Sequence, residues 1–164
     1  MIVTANTATP SAERPARAWH PHVTVATVVA ADGRFLLVEE EVAGQRVLNQ
    51  PAGHLEAGET LQQAAVRETL EETAWHVRLT HFLGVQQWSV GALHFVRFAF
   101  AADALRHEPG RPLDAGIIGP RWLSRDEIAA APNLRSPMVL STIDDWLAGR
   151  QLPLDCVKSL DPVR

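Results

Sequence analysis

At His22 the polarity of the chain changes abruptly. A polar stretch rich in Thr, Ala, Pro and Arg gives way to Val23-Thr24-Val25-Ala26-Thr27-Val28-Val29. This β-branched run predicts a strand. Asp32-Gly33 is a two-residue hairpin signal leading into Phe35-Leu36-Leu37-Val38. Gly44 marks a second turn before the short strand Arg46-Val47-Leu48, and Pro51 to Gly58 reads as a loop with glycine near both ends. The period then lengthens. Thr60 and Gln63 form a capping box, so a helix should begin near Leu61, with Leu61, Ala64 and Ala65 as its inward stripe. Val77 to Trp88 and Ala92 to Ala101 read as strands joined near Ser89-Val90-Gly91. Asp103 to Gly119 is expected to be a long loop. Arg121-Trp122-Leu123 is a short strand, Ser124 caps a helix through Glu127-Ile128, and Ser136 to Leu147 forms the last helix.

Mixed strands around two or three helices predict an α+β or α/β sandwich. Neither an internal repeat nor a linker divides the chain. Residues 21–155 are therefore expected to form one domain, between a disordered N-terminal tail at 1–20 and a short C-terminal tail at 156–164.

The apolar stripe of the first helix runs into Arg67-Glu68-Thr69-Leu70-Glu71-Glu72. At these spacings the three acids share one face. Unpaired carboxylates cannot be packed into a core at tolerable cost. They also lie at the end of the helix where the macrodipole is negative. The bland alternative is a solvated acidic surface steadied by an Arg67–Glu71 pair. Against it, Glu68 and Glu72 repel at i,i+4, and the stripe leads them inward. A bound hard cation, Mg2+ or Mn2+, resolves both conflicts.

The preceding loop favours the metal. Gly53, five residues, Glu59, seven residues, then Arg67-Glu68-x-x-Glu71-Glu72 resembles the signature of the Nudix hydrolases. Thr69 stands where that family usually has an aliphatic residue, and Ala74 replaces a glycine before Trp75. Ala74 lacks the freedom of glycine to form a left-handed cap, which would cost about 1–2 kcal/mol or shift the helix end. Further strings, His22–Val29, Glu39-Glu40, Asn49–Glu56, Arg121–Ser124 and Asn133–Pro137, are similar to the bacterial NudJ-type phosphatases of that family.

The resemblance implies a helix–sheet–helix sandwich with a mixed central sheet. It implies Glu71, Glu72 and the Gly53 carbonyl as metal ligands, with Glu68 as a ligand or the general base. Arg67 would orient Glu68 or Glu71, or be an ordinary ion pair, and Glu59 would support the site. Glu108 and Asp114 are candidates for a further carboxylate, or plain loop acids. Trp88 and Phe95 could stack on a base or pack in the core. Arg135 could hold phosphate or serve the entry to the last helix. His20-Pro-His22 reads as loop.

The implied activity is Mg2+-dependent hydrolysis of small nucleoside tri- and diphosphates and related pyrophosphates, including a pyrimidine pyrophosphate of thiamine synthesis, with release of phosphate. Alternatives are a pyrophosphatase of ADP-ribose, nucleotide-sugar or dinucleotide type, and a non-catalytic nucleotide-sensing or binding module. Such modules tend to lose the signature carboxylates, all of which are present here.

A formal charge of −4 gives no basic surface for nucleic-acid polymers. No apolar run approaches the ~20 residues of a membrane helix, and Met1 to Ala18, which lacks an apolar central stretch, is not expected to act as a secretory signal. Cys156 is the only cysteine, so no internal disulfide forms, which suits a cytoplasmic location. The expected partner is a small phosphorylated substrate, bound by a monomer or homodimer.

Overall fold

The computed structural model describes residues 19–160, so the expectation for Met1 to Ala18 lies outside the described residues. The strands are β1 (His22–Ala31), β2 (Arg34–Val42), β3 (Gln45–Asn49), β4 (Ala52–His54), β5 (Trp75–Val90), β6 (Leu93–His107) and β7 (Ile117–Ser124). Helix α1 (Leu61–Thr73) lies between β4 and β5, and α2 (Arg125–Ala130) and α3 (Met138–Leu147) follow β7. A 3-10 turn, Leu154–Cys156, comes last.

The sheet is mixed, with the order β3-β2-β1-β6-β5; β1 and β6 run parallel, β4 pairs with β1, and β7 with β2. Side chains alternate across it. Val28, Leu37, Ala99 and Ala101 face Ile128 of α2 and Val139 and Ile143 of α3. On the other side Val25, Phe82 and Phe100 meet Ala64 and Ala65 of α1. The small alanines let α1 lie close to the sheet, which brings its acidic end down to the strands.

β1 and β2 share only the two register pairs beside their turn, Ala30↔Phe35 and Ala31↔Arg34. Asp32 and Gly33 both have positive φ there, as the hairpin signal requires. Beyond the turn β2 leaves β1, and β4 takes its place against Thr24, Val25 and Ala26. The gap so opened between β1, β2 and β4 becomes a cleft.

Several expectations are corrected. The Pro51–Gly58 loop contains β4, because Ala52–His54 supplies the hydrogen bonds that β1 needs after β2 diverges. The long loop at 103–119 is much shorter: β6 runs to His107 alongside Trp75–Val77, and β7 begins at Ile117. Bulges at His76/Val77, Leu79/His81 and Phe82/Gly84 bend these two long strands and blur their alternation. His22 lies in β1 rather than in a loop. Helix α3 begins at Met138, not Ser136. Beyond the boundary at 155, Val157 still packs on the core beside Leu154, and its carbonyl accepts from Gln62 Nε2.

Candidate active site

Helix α1 starts as its capping box dictates: Thr60 Oγ1 accepts from the Gln63 N–H, and the Gln63 side chain accepts from the Thr60 N–H. It ends at Ala74, which adopts the left-handed conformation at φ 57° without being glycine, while its N–H still reaches the Leu70 carbonyl. The helix end therefore does not shift. Thr69 is fully buried, and its hydroxyl is spent inside the helix on the Ala65 carbonyl at 2.7 Å. This satisfaction is how a polar residue occupies an aliphatic position.

The inward stripe continues through Ala64, Ala65, Glu68 and Glu72, and both acids are buried. Glu71 sits at the rim, with its side chain 30% exposed. Glu72 Oε2 accepts from the Ala52 N–H at 2.8 Å. Burial, reinforced by the charges of Glu68, Glu40 and Asp114, pushes the Glu72 carboxyl up to about 8 against the opposing pull of that N–H. Burial also raises Glu68, although Arg67 draws it back. Gly53 lies directly over the Glu68 carboxylate, and a Cβ there would collide with it. Only glycine allows this approach.

Arg67 organises the rim. Its Nη1 donates to Glu68 Oε1 at 2.8 Å and Glu71 Oε2 at 2.9 Å. Its Nη2 donates to Glu59 Oε1 at 2.7 Å and the His54 carbonyl at 3.1 Å, and its Nε to Glu59 Oε2 at 3.0 Å. Glu59 also accepts from the Glu56 N–H. The Arg67 guanidinium therefore holds the Glu59 carboxyl below the usual range. One arginine ties the loop to the helix, a larger role than an i,i+4 pair.

Among the described residues, no three His, Cys, Asp or Glu side chains converge as a ready metal cage. Glu68 and Glu71 point to Arg67, and Glu72 to Ala52. The donor chemistry nonetheless fits a hard divalent cation: carboxylate oxygens, partly buried and mutually repelling, lack the positive charge that would keep Glu72 ionised.

The remaining candidates separate. Asp114 is close enough to raise Glu68 and Glu72, and its N–H donates to the Glu71 carbonyl. Glu108 is turned away, paired with His76 at 3.0 Å and Arg111 at 3.7 Å. Trp88 and Phe95 are not core residues; they are half-buried, stacked at 5.7 Å, and line a cleft of about 120 Å³ next to Gly53. Arg135 lies on the same cleft, donating to Glu40 Oε2 at 2.6 Å.

Sequence reasoning missed Arg97, His22, His54 and the role of Glu40. Arg97, on β6, is buried among the cleft residues with its Nη1 3.3 Å from Gln50 Oε1; burial, with Arg135 adding to it, pushes its guanidinium down to about 10. His22 Nδ1 lies 3.1 Å from His54 Nε2, and the His22 ring stacks on Phe95. An arginine within a β-branched and aromatic run was the available signal for Arg97.

A sandwich that presses a buried acidic helix face against a glycine-backed strand defines the architecture of a phosphoric-anhydride hydrolase. The chain belongs to the Nudix hydrolase family: a NUDIX domain matches residues 18–141. It is 46% identical over 138 residues to Phosphatase NudJ of Escherichia coli strain K12, covering 84% of this chain and 90% of that protein. A NUDIX hydrolase from Nitrosomonas europaea superposes with a TM-score of 0.83 at 41% identity, covering 85% of this chain and 97% of the other. A MutT NUDIX hydrolase from Burkholderia pseudomallei shares the fold, with a TM-score of 0.66 at 23% identity. The protein is thus an enzyme acting on phosphoric anhydride bonds.

Proposed function

We propose that this enzyme is a Mg2+-dependent phosphohydrolase that removes the terminal phosphate from small nucleoside tri- and diphosphates and from related pyrophosphates, including the thiamine-pathway pyrimidine pyrophosphate. One observation carries the reading. Glu40, Asn49, Ala52–His54 and Arg135-Ser136 come from three separate strings similar to NudJ-type phosphatases, and all line the cleft beside Gly53. The convergence favours a shared substrate site over shared scaffolding.

In this reading Glu68, Glu71, Glu72 and the Gly53 carbonyl hold the ion, with Mn2+ able to replace Mg2+. When bound, a divalent cation supplies positive charge for the phosphoryl oxygens and acidifies a water at neutral pH. The protein's own residues do the rest. Arg67 keeps Glu68 and Glu71 in place, and Glu59 keeps Arg67 in place. Glu68, made more basic by burial, either joins the ligands or takes the proton of the attacking water. Arg135 faces the cleft with a guanidinium that Glu40 orients, and Trp88 supplies an apolar face for the group bearing the phosphates.

Hydrolysis of GTP and of the pyrimidine pyrophosphate, followed by 31P NMR, tests the proposal. EDTA should abolish turnover and Mg2+ restore it. Orthophosphate should appear first, with GTP passing through GDP. Pyrophosphate as the sole initial product would move the enzyme to the pyrophosphatase reading, and full turnover in a metal-free preparation would remove the ion from the mechanism.

A further inference from the structure

Strand β5 ends the sheet on the side away from β3 and leaves one edge open. Among the described residues only Leu152 meets that edge, through its bridge to Phe82. Val90 and Leu93 flank the two-residue turn Gly91-Ala92, and the register with β6 is unbroken from Val90 back to Val85. In such a hairpin the flanking pair is hydrogen-bonded and the pattern alternates, so Gln86, Trp88 and Val90 bond to β6. The N–H and C=O groups of Val85, Gln87 and Ser89 therefore point outward, and no backbone group among the described residues answers them.

Edges of this kind invite pairing unless charge, proline or shortness blunts them. The other edges of this sheet are so blunted. β4 has three residues, β3 carries Arg46, and β7 carries Pro120 and Arg121. β5 has no such protection: no Asp, Glu, Lys or Arg lies between Arg78 and Arg97, in a chain that is 21% charged. Its outer part instead exposes Val85 at 51% and Val90 at 47%. A hollow beside Gln86, Gln87 and Trp88, floored by Pro137, Met138 and Ser141, leaves room for a strand next to α3.

We infer that this edge pairs antiparallel with the same edge of a second copy of the chain, about a two-fold axis at Gln87. Val85 then faces Ser89 of the other copy and Gln87 faces its own counterpart, so each outward residue exchanges both of its backbone hydrogen bonds. The open stretch has the length this requires. The irregularity at Gly84 and the Leu152 bridge close one end, and the turn at Gly91 closes the other. Val90 of one copy lies over Gly84 of the other, where the space for a Cβ is empty. A two-fold contact sets a surface against itself, which an uncharged strand tolerates and a charged one does not. Strand pairing alone falls short of the ~1,200 Å² of a stable interface, so the apolar Val85 and Val90 must add to it and the dimer is concentration-dependent. Trp88, which lines the cleft, comes to stand beside Gln86 of the second copy.

Light scattering of the full chain across the micromolar range tests the inference. The mass should rise from 18.0 kDa toward twice that value. Gln87→Lys sets two ammonium groups face to face and should weaken association by at least about tenfold, as should the two carboxylates of Gln87→Glu. Gln87 is exposed in the single chain, so neither variant should alter the circular dichroism spectrum. Mixing the two variants places opposite charges across the axis and should return the dimer. Hydrogen exchange on the wild type needs no variant. The amides of Val85, Gln87 and Ser89 should exchange at least about tenfold more slowly once most chains are paired, while those of Gln86 and Trp88 change little. A mass of one chain at the highest concentration overturns the inference. So does a dimer that Gln87→Lys leaves intact, or protection elsewhere without protection at Val85, Gln87 and Ser89. None of these readings involves turnover, so the hydrolase reading stands or falls separately.

Discussion

Burial and the neighbouring acids oppose ionisation of Glu72, and two consequences can be measured. Glu72→Gln keeps the side-chain shape and removes the charge, so kcat should fall by at least ~10²-fold, the scale for losing a major electrostatic group. Near-normal kcat would place the chemistry elsewhere. The second consequence is a pH dependence of stability in the chelated protein. The carboxyl titrates at an ordinary 4.5 when unfolded and at about 8 when folded. The folded state thus binds this proton more tightly. The contribution is fully present below pH 4.5 and is lost as the pH rises through 8, by an amount on the order of a few kcal/mol. Tm of metal-free wild type should therefore drop between pH 5 and pH 8.5 more steeply than Tm of Glu72→Gln. Parallel slopes would contradict the burial of this carboxyl. Added Mg2+ should flatten the wild-type curve.

Helix α1 is held at both ends by local devices, one favourable and one strained. Thr60 and Gln63 close the N-terminal box, so the loop carrying Glu59 meets the helix at a defined angle. At the other end Ala74 sits in the left-handed region that disfavours a Cβ. Ala74→Gly should relieve this strain and raise stability by about 0.5–1 kcal/mol, reduced by loss of the buried methyl. Urea denaturation measures it, and kcat should not change because Glu68 and Glu72 keep their turn. Lower stability would mean that the packing of the methyl outweighs the backbone strain.

Across the whole molecule, the chain after α3 returns to the face that carries α1. Leu152 pairs with Phe82 through both backbone hydrogen bonds at 2.8 Å, and Leu154 and Val157 cover the core cluster of Val25, Ala64 and Phe100. Truncation after Gly149 should therefore destabilise the protein by about 2–4 kcal/mol, the scale of uncovering two or three apolar side chains. Thermal denaturation would show a Tm lowered by several degrees. An unchanged Tm would mean that this segment lies on the surface without holding it together.

The sequence by itself determined the elements whose causes are local. The capping box set the start of α1, Asp32-Gly33 set the first hairpin, and the spacing of Glu68, Glu71 and Glu72 set a common helix face. The Gly53–Glu72 pattern also identified the family, because its residues lie close together in the chain. Only the tertiary structure decided that Glu68 and Glu72 are buried while Glu71 stays at the rim, and that Asp114 rather than Glu108 approaches them. It alone showed β4, whose three residues become a strand only because β2 leaves β1. Arg97 of β6 meets Glu40 and Asn49 of the β2–β3 hairpin across a long separation in sequence, and nothing near Arg97 signals the other two. Local hydrogen bonds and periodicity are written along the chain, whereas a cleft exists only where strands part, and that follows from how the whole sheet pairs.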